Sequence, residues 1–242
     1  MIKINDLSLC NKDNILISKL NIEFNTGNFW AILGKNGTGK TTLLQTMAGL
    51  LKYRNGSIKI VGTELNLLTP LIRAQKIAFL SQLLESGLDC TVEQSISYGR
   101  YPWHQFKLAN KENQALIDSA INAMHLNELR KCSIQNISGG ELRKVEIATI
   151  LAQDSQIMMF DEPLNHLDIS FRYKLMELLK QLSNKKLIII VTHDIQYVQA
   201  YCSHVMMLLG EGQTIVGQCK DVINTENLNK MLGITLPKNI YL

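Results

Sequence analysis

Gly34-Lys35-Asn36-Gly37-Thr38-Gly39-Lys40-Thr41-Thr42, entered from the apolar run Phe29 to Leu33, fits G-x-x-x-x-G-K-[ST] between Gly34 and Thr41. The pattern predicts a strand that delivers a glycine-punctuated loop to the start of a helix at about Lys40. Glycine lets such a loop take positive φ and approach a ligand closely. Its N–H groups then converge with the partial positive charge of the helix start to make an anion cradle. Lys40 is expected to reach the β- and γ-phosphates of a nucleoside triphosphate, and the Thr41 hydroxyl to ligate Mg²⁺. Gly34, Asn36, Gly37, Gly39 and Thr42 complete the predicted cradle.

Working outward, residues 2 to 9 and 19 to 25 alternate as half-buried strands, with Leu20, Ile22 and Phe24 on one face. Thr26-Gly27-Asn28 turns the chain into the strand that feeds the loop. A helix is expected over residues 40 to 51, then a turn at Arg54-Asn55-Gly56 and a strand from Ser57 to Val61. Lys76 to Leu80 reads as a short apolar strand. Between residues 92 and 152 no strand is evident, and Ala115, Ile117, Ala120, Ile121 and Met124 recur at helical spacing. The α/β rhythm then resumes: strand 156–160, helix 169–183, strand 187–191, helix 194–202, strand 204–209, and a small hairpin from Gly210 to Val216. Apolar strands alternating with helices imply a mostly parallel sheet covered on both faces, with an antiparallel layer from the early strands and a helical insertion.

Composition narrows the function classes. The chain has 242 residues, 46% of them hydrophobic, and a net charge of +4. The charge is dispersed and densest only at Lys185-Lys186, which argues against nucleic acid as the main partner. Five cysteines (Cys10, Cys90, Cys132, Cys202, Cys219) lack C-x-x-C spacing, so neither a disulfide framework nor a zinc site is expected, and a reducing compartment is. Met1-Ile2-Lys3-Ile4-Asn5-Asp6 has no apolar core of a signal peptide, and runs such as Leu187 to Val191 are too short to span a bilayer.

Three further stretches aim at the loop. Ile157 to Phe160 is an apolar strand that ends in Asp161-Glu162-Pro163, and ligands of such sheets sit outside the carboxyl ends of the strands. Asp161 is therefore a candidate Mg²⁺ ligand and Glu162 a candidate general base. Leu187 to Val191 similarly delivers Thr192-His193-Asp194, and His193 is a candidate to position the attacked γ-phosphate and the water. Ser138-Gly139-Gly140-Glu141 opens a helix with an apolar stripe of Leu142, Val145, Ala148 and Leu151. Ser138 and Glu141 fit an S-x-x-E capping box, which needs no ligand. The adjacent glycines sacrifice helix propensity and leave bare N–H groups, a second candidate anion site.

The loop at Gly34–Thr42, then Gln82, Ser138-Gly139-Gly140-Glu141, Asp161-Glu162-Pro163, Leu167-Asp168 and His193, in this order and at these spacings, resemble the nucleotide-binding subunit of ABC transporters. The resemblance covers essentially the whole chain. It implies one ABC ATPase domain, with a core and antiparallel layer over about 1–82 and 156–242 and a helical subdomain over about 83–155. By the same resemblance, Gln82 touches Mg²⁺ and the water and reports to the membrane partner. Ser138, Gly139, Gly140 and Glu141 face the γ-phosphate held by a second copy, so that two ATP molecules are sandwiched in a head-to-tail dimer. Leu164 to Asp168 couples the two sites, and the helical part offers the integral membrane permease a cleft for its coupling helix.

Thr91-Val92-Glu93 followed by Tyr98-Gly99-Arg100-Tyr101-Pro102-Trp103-His104 is similar to importers of iron–siderophore and related metal chelates such as haem and cobalamin, as are Thr225 to Leu228 and Leu232 to Ile234. That resemblance implies ATP and Mg²⁺ as cofactors, indirect work with a substrate-binding protein, and a peripheral place on the cytoplasmic face of the inner membrane. The alternative within the family is a soluble ABC ATPase of cofactor assembly, repair or ribosome control. A GTPase switch or small-molecule kinase has no need of Ser138 to Glu141. Two departures stand out. Cys10-Asn11-Lys12-Asp13 holds no ring where many relatives stack adenine, so GTP is expected to be accepted more readily. Glu141 replaces the commoner Gln and is expected to stay in its capping box.

Overall fold

Alternate residues of each central strand bury into opposite cores, and this sorts the molecule into layers. The computed structural model describes residues 1–11, 14–81, 89–106 and 110–235, with no account of the side chains of 104–106 and 110. In chain order the strands are β1 (Ile2–Asn11), β2 (Asn14–Phe24), β3 (Phe29–Gly34), β4 (Asn55–Ile60), β5 (Thr63–Glu64), β6 (Ile77–Leu80), β7 (Ile157–Asp161), β8 (Leu187–Val191), β9 (His204–Gly210) and β10 (Gln213–Gln218). The helices are α1 (Lys40–Met47), α2 (Pro70–Lys76), α3 (Val92–Ser97), α4 (Asn110–Ala123), α5 (Gly139–Gln153), α6 (Ile169–Ser183), α7 (Ile195–Tyr201), α8 (Cys219–Val222) and α9 (Thr225–Leu232). A 3-10 segment, Tyr98–Phe106, follows α3.

The main sheet runs β10-β9-β3-β8-β7-β6, parallel throughout except for β10 at its edge. Phe29, Ala31 and Leu33 of β3, Met158 and Phe160 of β7, and Ile188 and Ile190 of β8 face one core with α3 to α7. Trp30, Ile32, Ile157, Met159, Leu187, Ile189 and Val191 face the other, with α1 and the antiparallel sheet β2-β1-β4-β5. Fully apolar strands are what a sheet buried on both faces requires. The helical stretch between β6 and β7 shares the first core: Val92, Ile96, Ile117, Ile121, Val145 and Ala148 pack with sheet residues. Its described residues make one strand-like contact, a bridge between Thr91 and Ser133.

Two boundaries differ from expectation by more than two residues. The first helix ends at Met47 rather than at 51, because Gly49 takes a left-handed φ of 72° and turns the chain, leaving Leu50 and Leu51 exposed. β2 begins at Asn14, five residues before its alternation becomes clean. Pairing of Ile15 with Cys10 recruits these residues, although Ile15 stays exposed, and bulges with a left-handed Lys19 disturb the period. Among the described residues no helix is long and apolar enough to cross a membrane, and all five cysteines are free.

Candidate active site

β3, β8 and β7 are neighbours in the sheet, so the three polar segments that follow them arrive at one edge. Val191 pairs with Ile32 on one side and Asp161 on the other, which fixes the level of each strand end. The result is a cavity of about 360 Å³ lined by Asn36, Gly37, Gly39 to Thr42, Asp161, Glu162 and His193, together with Asn11, Leu16 and Val191.

Close packing demands glycine at the two ends of the loop. A Cβ on Gly34 would meet Thr38 Oγ1 at 2.7 Å and the Leu208 carbonyl at 2.8 Å; one on Gly39 would meet Leu16 Cβ at 2.9 Å. Gly39 also takes φ 98° as it caps α1. Lys40 Nζ donates to the carbonyls of Gly34 (2.8 Å) and Lys35 (3.0 Å). An ammonium has three donors, so one remains for the cavity. Burial lowers the Lys40 pKa, while Glu162 and Asp161 oppose the fall.

The acidic edge is buried inside the protein with incomplete hydrogen bonding. Asp161 is fully buried, Glu162 is 5% exposed, and both Asp161 oxygens and Glu162 Oε1 lack an aligned hydrogen-bond donor. Burial raises the Asp161 pKa against the pull of the Thr41 hydroxyl, Lys40 and Arg143. Burial likewise pushes Glu162 up to about 7, opposed by Lys40 and helped by Asp161. His193 Nε2 lies 2.9 Å from Glu162 Oε1 without hydrogen-bond alignment. Burial and then Lys40 lower the His193 pKa, against Asp194 and Asp161, which favours the neutral ring.

Buried carboxylates without a full set of hydrogen bonds are costly, and hard oxygen donors beside a phosphate cradle suit Mg²⁺. The described residues contain no cluster of three or more His, Cys, Asp or Glu that would hold a metal alone. A cation held by one carboxylate and one hydroxyl, with water and phosphate completing its shell, fits that arrangement.

Ser138 to Glu141 do not line this cavity. Ser138 Oγ accepts from the Glu141 amide (3.3 Å), and Glu141 Oε2 accepts from the Ser138 amide (2.8 Å) and hydroxyl (2.7 Å). Both halves of the expected capping box are present. Ser138 and Gly139 are exposed, and a Cβ on Gly139 would meet nothing. Gln82 lies outside the described residues, as do Lys12 and Asp13 of the stretch where an adenine-stacking ring was sought. No aromatic residue lines the cavity among those described.

Sequence reasoning missed Arg143. It is 1% exposed on α5, and its Nη2 donates to the carbonyls of Asp161 (2.8 Å) and Glu162 (2.9 Å). Nη1 donates to the Ser81 carbonyl and to Glu146, both at 2.9 Å. An arginine beside Leu142 on the apolar stripe was the available signal. Glu162 itself holds a left-handed φ of 50°, and this clamp supports it.

The sheet order, the glycine-shaped loop and the paired carboxylates together define an ATPase of the ABC type. The family described as ABC transporter matches residues 17–165, and the chain belongs to that family. The petrobactin import ATP-binding protein YclP of Bacillus subtilis (strain 168) is 29% identical over 98% of this chain and 94% of its own. The ferric enterobactin transport ATP-binding protein FepC of Escherichia coli (strain K12) is 34% identical over 89% and 80%. A solved inward-facing transporter, described as of the metal-chelate ABC type, superposes with a TM-score of 0.80 at 23% identity, covering 96% of this chain and 88% of that one.

Proposed function

We propose that this chain is the ATP-hydrolysing subunit of an importer for a metal chelate, with iron–siderophore as the chemical class, and that it works as a head-to-tail pair on an integral membrane permease. The observation that carries the hydrolytic part is the pair of adjacent buried carboxylates, Asp161 and Glu162, facing the phosphate loop. The siderophore-import relatives support the choice of cargo.

In this reading Lys40 and the loop amides of Asn36 to Thr42 bind the phosphates. Thr41 and Asp161, with Gln82, would hold Mg²⁺, which supplies charge neutralisation on the phosphate oxygens when bound. Glu162 accepts the proton of the attacking water, and a carboxylate lifted by burial is matched to that task near neutral pH. His193, neutral and beside Glu162, orients the water and the γ-phosphate. Chemistry of this kind depends on positioning and charge neutralisation more than on covalent steps. The exposed helix start at Ser138, with the amides of Gly139 and Gly140, serves the γ-phosphate of the second copy.

Ile72 of α2 and Tyr98 and Tyr101 of the 3-10 segment are exposed, and Gln75 Nε2 ties the two segments by donating to the Pro102 carbonyl; these exposed side chains support a permease contact on this side of the helical part. The permease holds the chain at the cytoplasmic face of the membrane, and a substrate-binding protein delivers the cargo to it. Purification from membranes in mild detergent tests the proposal. A permease should co-purify, and reconstituted vesicles should take up an iron–siderophore only with ATP. A chain that stays soluble, with no membrane protein attached, would refute the transport role.

A further inference from the structure

Arg100 and Trp103 stand in a stretch read above only as a mark of a subgroup, yet their side chains turn inward onto α5. Arg100 is 4% exposed. Its Nη1 donates to the carbonyls of Ala152 (2.8 Å) and Gln153 (3.0 Å), and its Nε to Asn113 Oδ1 of α4 (2.9 Å). Trp103 Nε1 donates to the same Gln153 carbonyl at 2.8 Å, and its ring lies 5.4 Å from the Arg100 guanidinium. These carbonyls are at the C-terminal end of α5, where helix acceptors have no partner of their own and where a cation meets the negative end of the helix dipole. Gly99 allows the approach: a Cβ there would lie 2.3 Å from the Thr149 carbonyl of α5.

The other end of α5 is Ser138-Gly139, the surface assigned above to the second copy's nucleotide. Near that end, Arg143 ties α5 to the Ser81 carbonyl, just past β6, and to Asp161 and Glu162. Near the far end, Gln153 Nε2 donates to the carbonyls of Ala74 in α2 and of Ile77 at the start of β6. Arg100 and Trp103 add to the hold that Gln153 makes at that end, from the 3-10 segment. Ser138 lies about 8 Å along the helix from Arg143, so a tilt of about 4° about that point moves it by about 0.5 Å.

We propose that Arg100 and Trp103 are positioning residues for ATP hydrolysis, clamping the C-terminal end of α5 so that Ser138 and Gly139 are aimed at the nucleotide of the paired copy. The proposal rests on the head-to-tail reading of the function. The clamp lies outside the cavity of the chain's own site, so it should govern turnover and not nucleotide affinity.

The test uses the full chain with Trp103→Phe, which keeps the ring and deletes the N–H, Arg100→Lys, Arg100→Ala, and Ser138→Arg as a reference. Each clamp variant should lower kcat roughly tenfold, less than the roughly 10²-fold that a full 1 Å misplacement can cost. Binding of a fluorescent ATP analogue should stay at the wild-type Kd, and the melting temperature should fall by no more than about 4 °C. Wild-type kcat in both Trp103→Phe and Arg100→Lys would overturn the clamp, as would a parallel loss of ATP affinity. If Arg100→Ala does not fold, the two conservative variants decide. If Ser138→Arg hydrolyses ATP at the wild-type rate, the head-to-tail reading falls and the clamp falls with it. If Ser138→Arg is inactive and the clamp variants are not, the clamp alone is refuted.

Discussion

The loop after β3 and the start of α5 both offer backbone amides to an anion, yet they are finished differently. The loop is enclosed: its lysine is bound to its own carbonyls, Gly34 and Gly39 are demanded by contacts under 3 Å, and two buried carboxylates face it across the cavity. The start of α5 is open and already satisfied by Ser138 and Glu141, with space around Gly139. An enclosed site with unmet polar groups is shaped for a ligand within one chain. A capped, exposed helix end beside two glycines contributes only when another surface is brought to it. Under the proposed head-to-tail pairing, hydrolysis needs both, one from each copy.

The largest expected effect breaks the enclosed half at its acidic edge. Glu162→Gln should lower ATP hydrolysis by roughly 10²–10⁴-fold, the usual worth of a general base, while ATP still binds. Size-exclusion chromatography in ATP should then show a trapped two-copy species, and full hydrolysis by this variant would remove Glu162 as the base. Lys40→Ala attacks the phosphate side and should cost about 10²-fold in kcat/KM, the scale of one lost charge-stabilising donor. An unchanged rate would refute its role.

The contrast also explains what was legible in the chain. The loop is contiguous, so Gly34 to Thr42 announced itself by spacing alone. Helix 169–183 and strand 187–191 matched their predicted bounds because their periodicities run uninterrupted between clear stops. The meeting of Asp161, Glu162 and His193 was inferable once parallel strands were expected, since their polar ends share one edge. Arg143 and Arg100 were not. Each spends its guanidinium on backbone carbonyls far away in sequence, and carbonyls leave no trace in residue types. The early end of α1 depended on a left-handed Gly49, and glycine alone does not say whether a helix stops or continues.

Arg143 connects the two halves, and its removal should show in both stability and rate. Arg143→Met keeps the length and the apolar stem but leaves the Ser81, Asp161 and Glu162 carbonyls without their donor. Chemical denaturation should report a loss of about 2–3 kcal/mol, and kcat should fall with it. Wild-type values of both would deny the connection. The base-binding side comes next. With no ring in the described lining, GTP should bind within about tenfold of ATP, because one stacked aromatic is worth roughly 0.5–1.5 kcal/mol. Asn11→Tyr should then tighten ATP binding by about fivefold in equilibrium titration, and a far stronger native preference for ATP would place base recognition elsewhere.

The smallest effect tests whether the open half really is complete in itself. The Ser138 hydroxyl and amide hold the Glu141 pKa below the ordinary carboxylate value, so the folded pKa lies under the unfolded one. The stability this contributes is present above the unfolded pKa and is lost as pH falls through the folded one. Glu141→Gln keeps a capping-box side chain but removes the charge, and should cost no more than about 0.5 kcal/mol at neutral pH. The difference in melting temperature between wild type and variant should shrink as pH is lowered from about 7 to about 3, because protonated Glu and Gln are nearly equivalent there. Turnover should hold or rise slightly, since a carboxylate beside a partner's γ-phosphate is repulsive unless its cap restrains it. A large loss of activity would mean that Glu141 leaves the cap to act on the nucleotide, and that the open half is not complete alone.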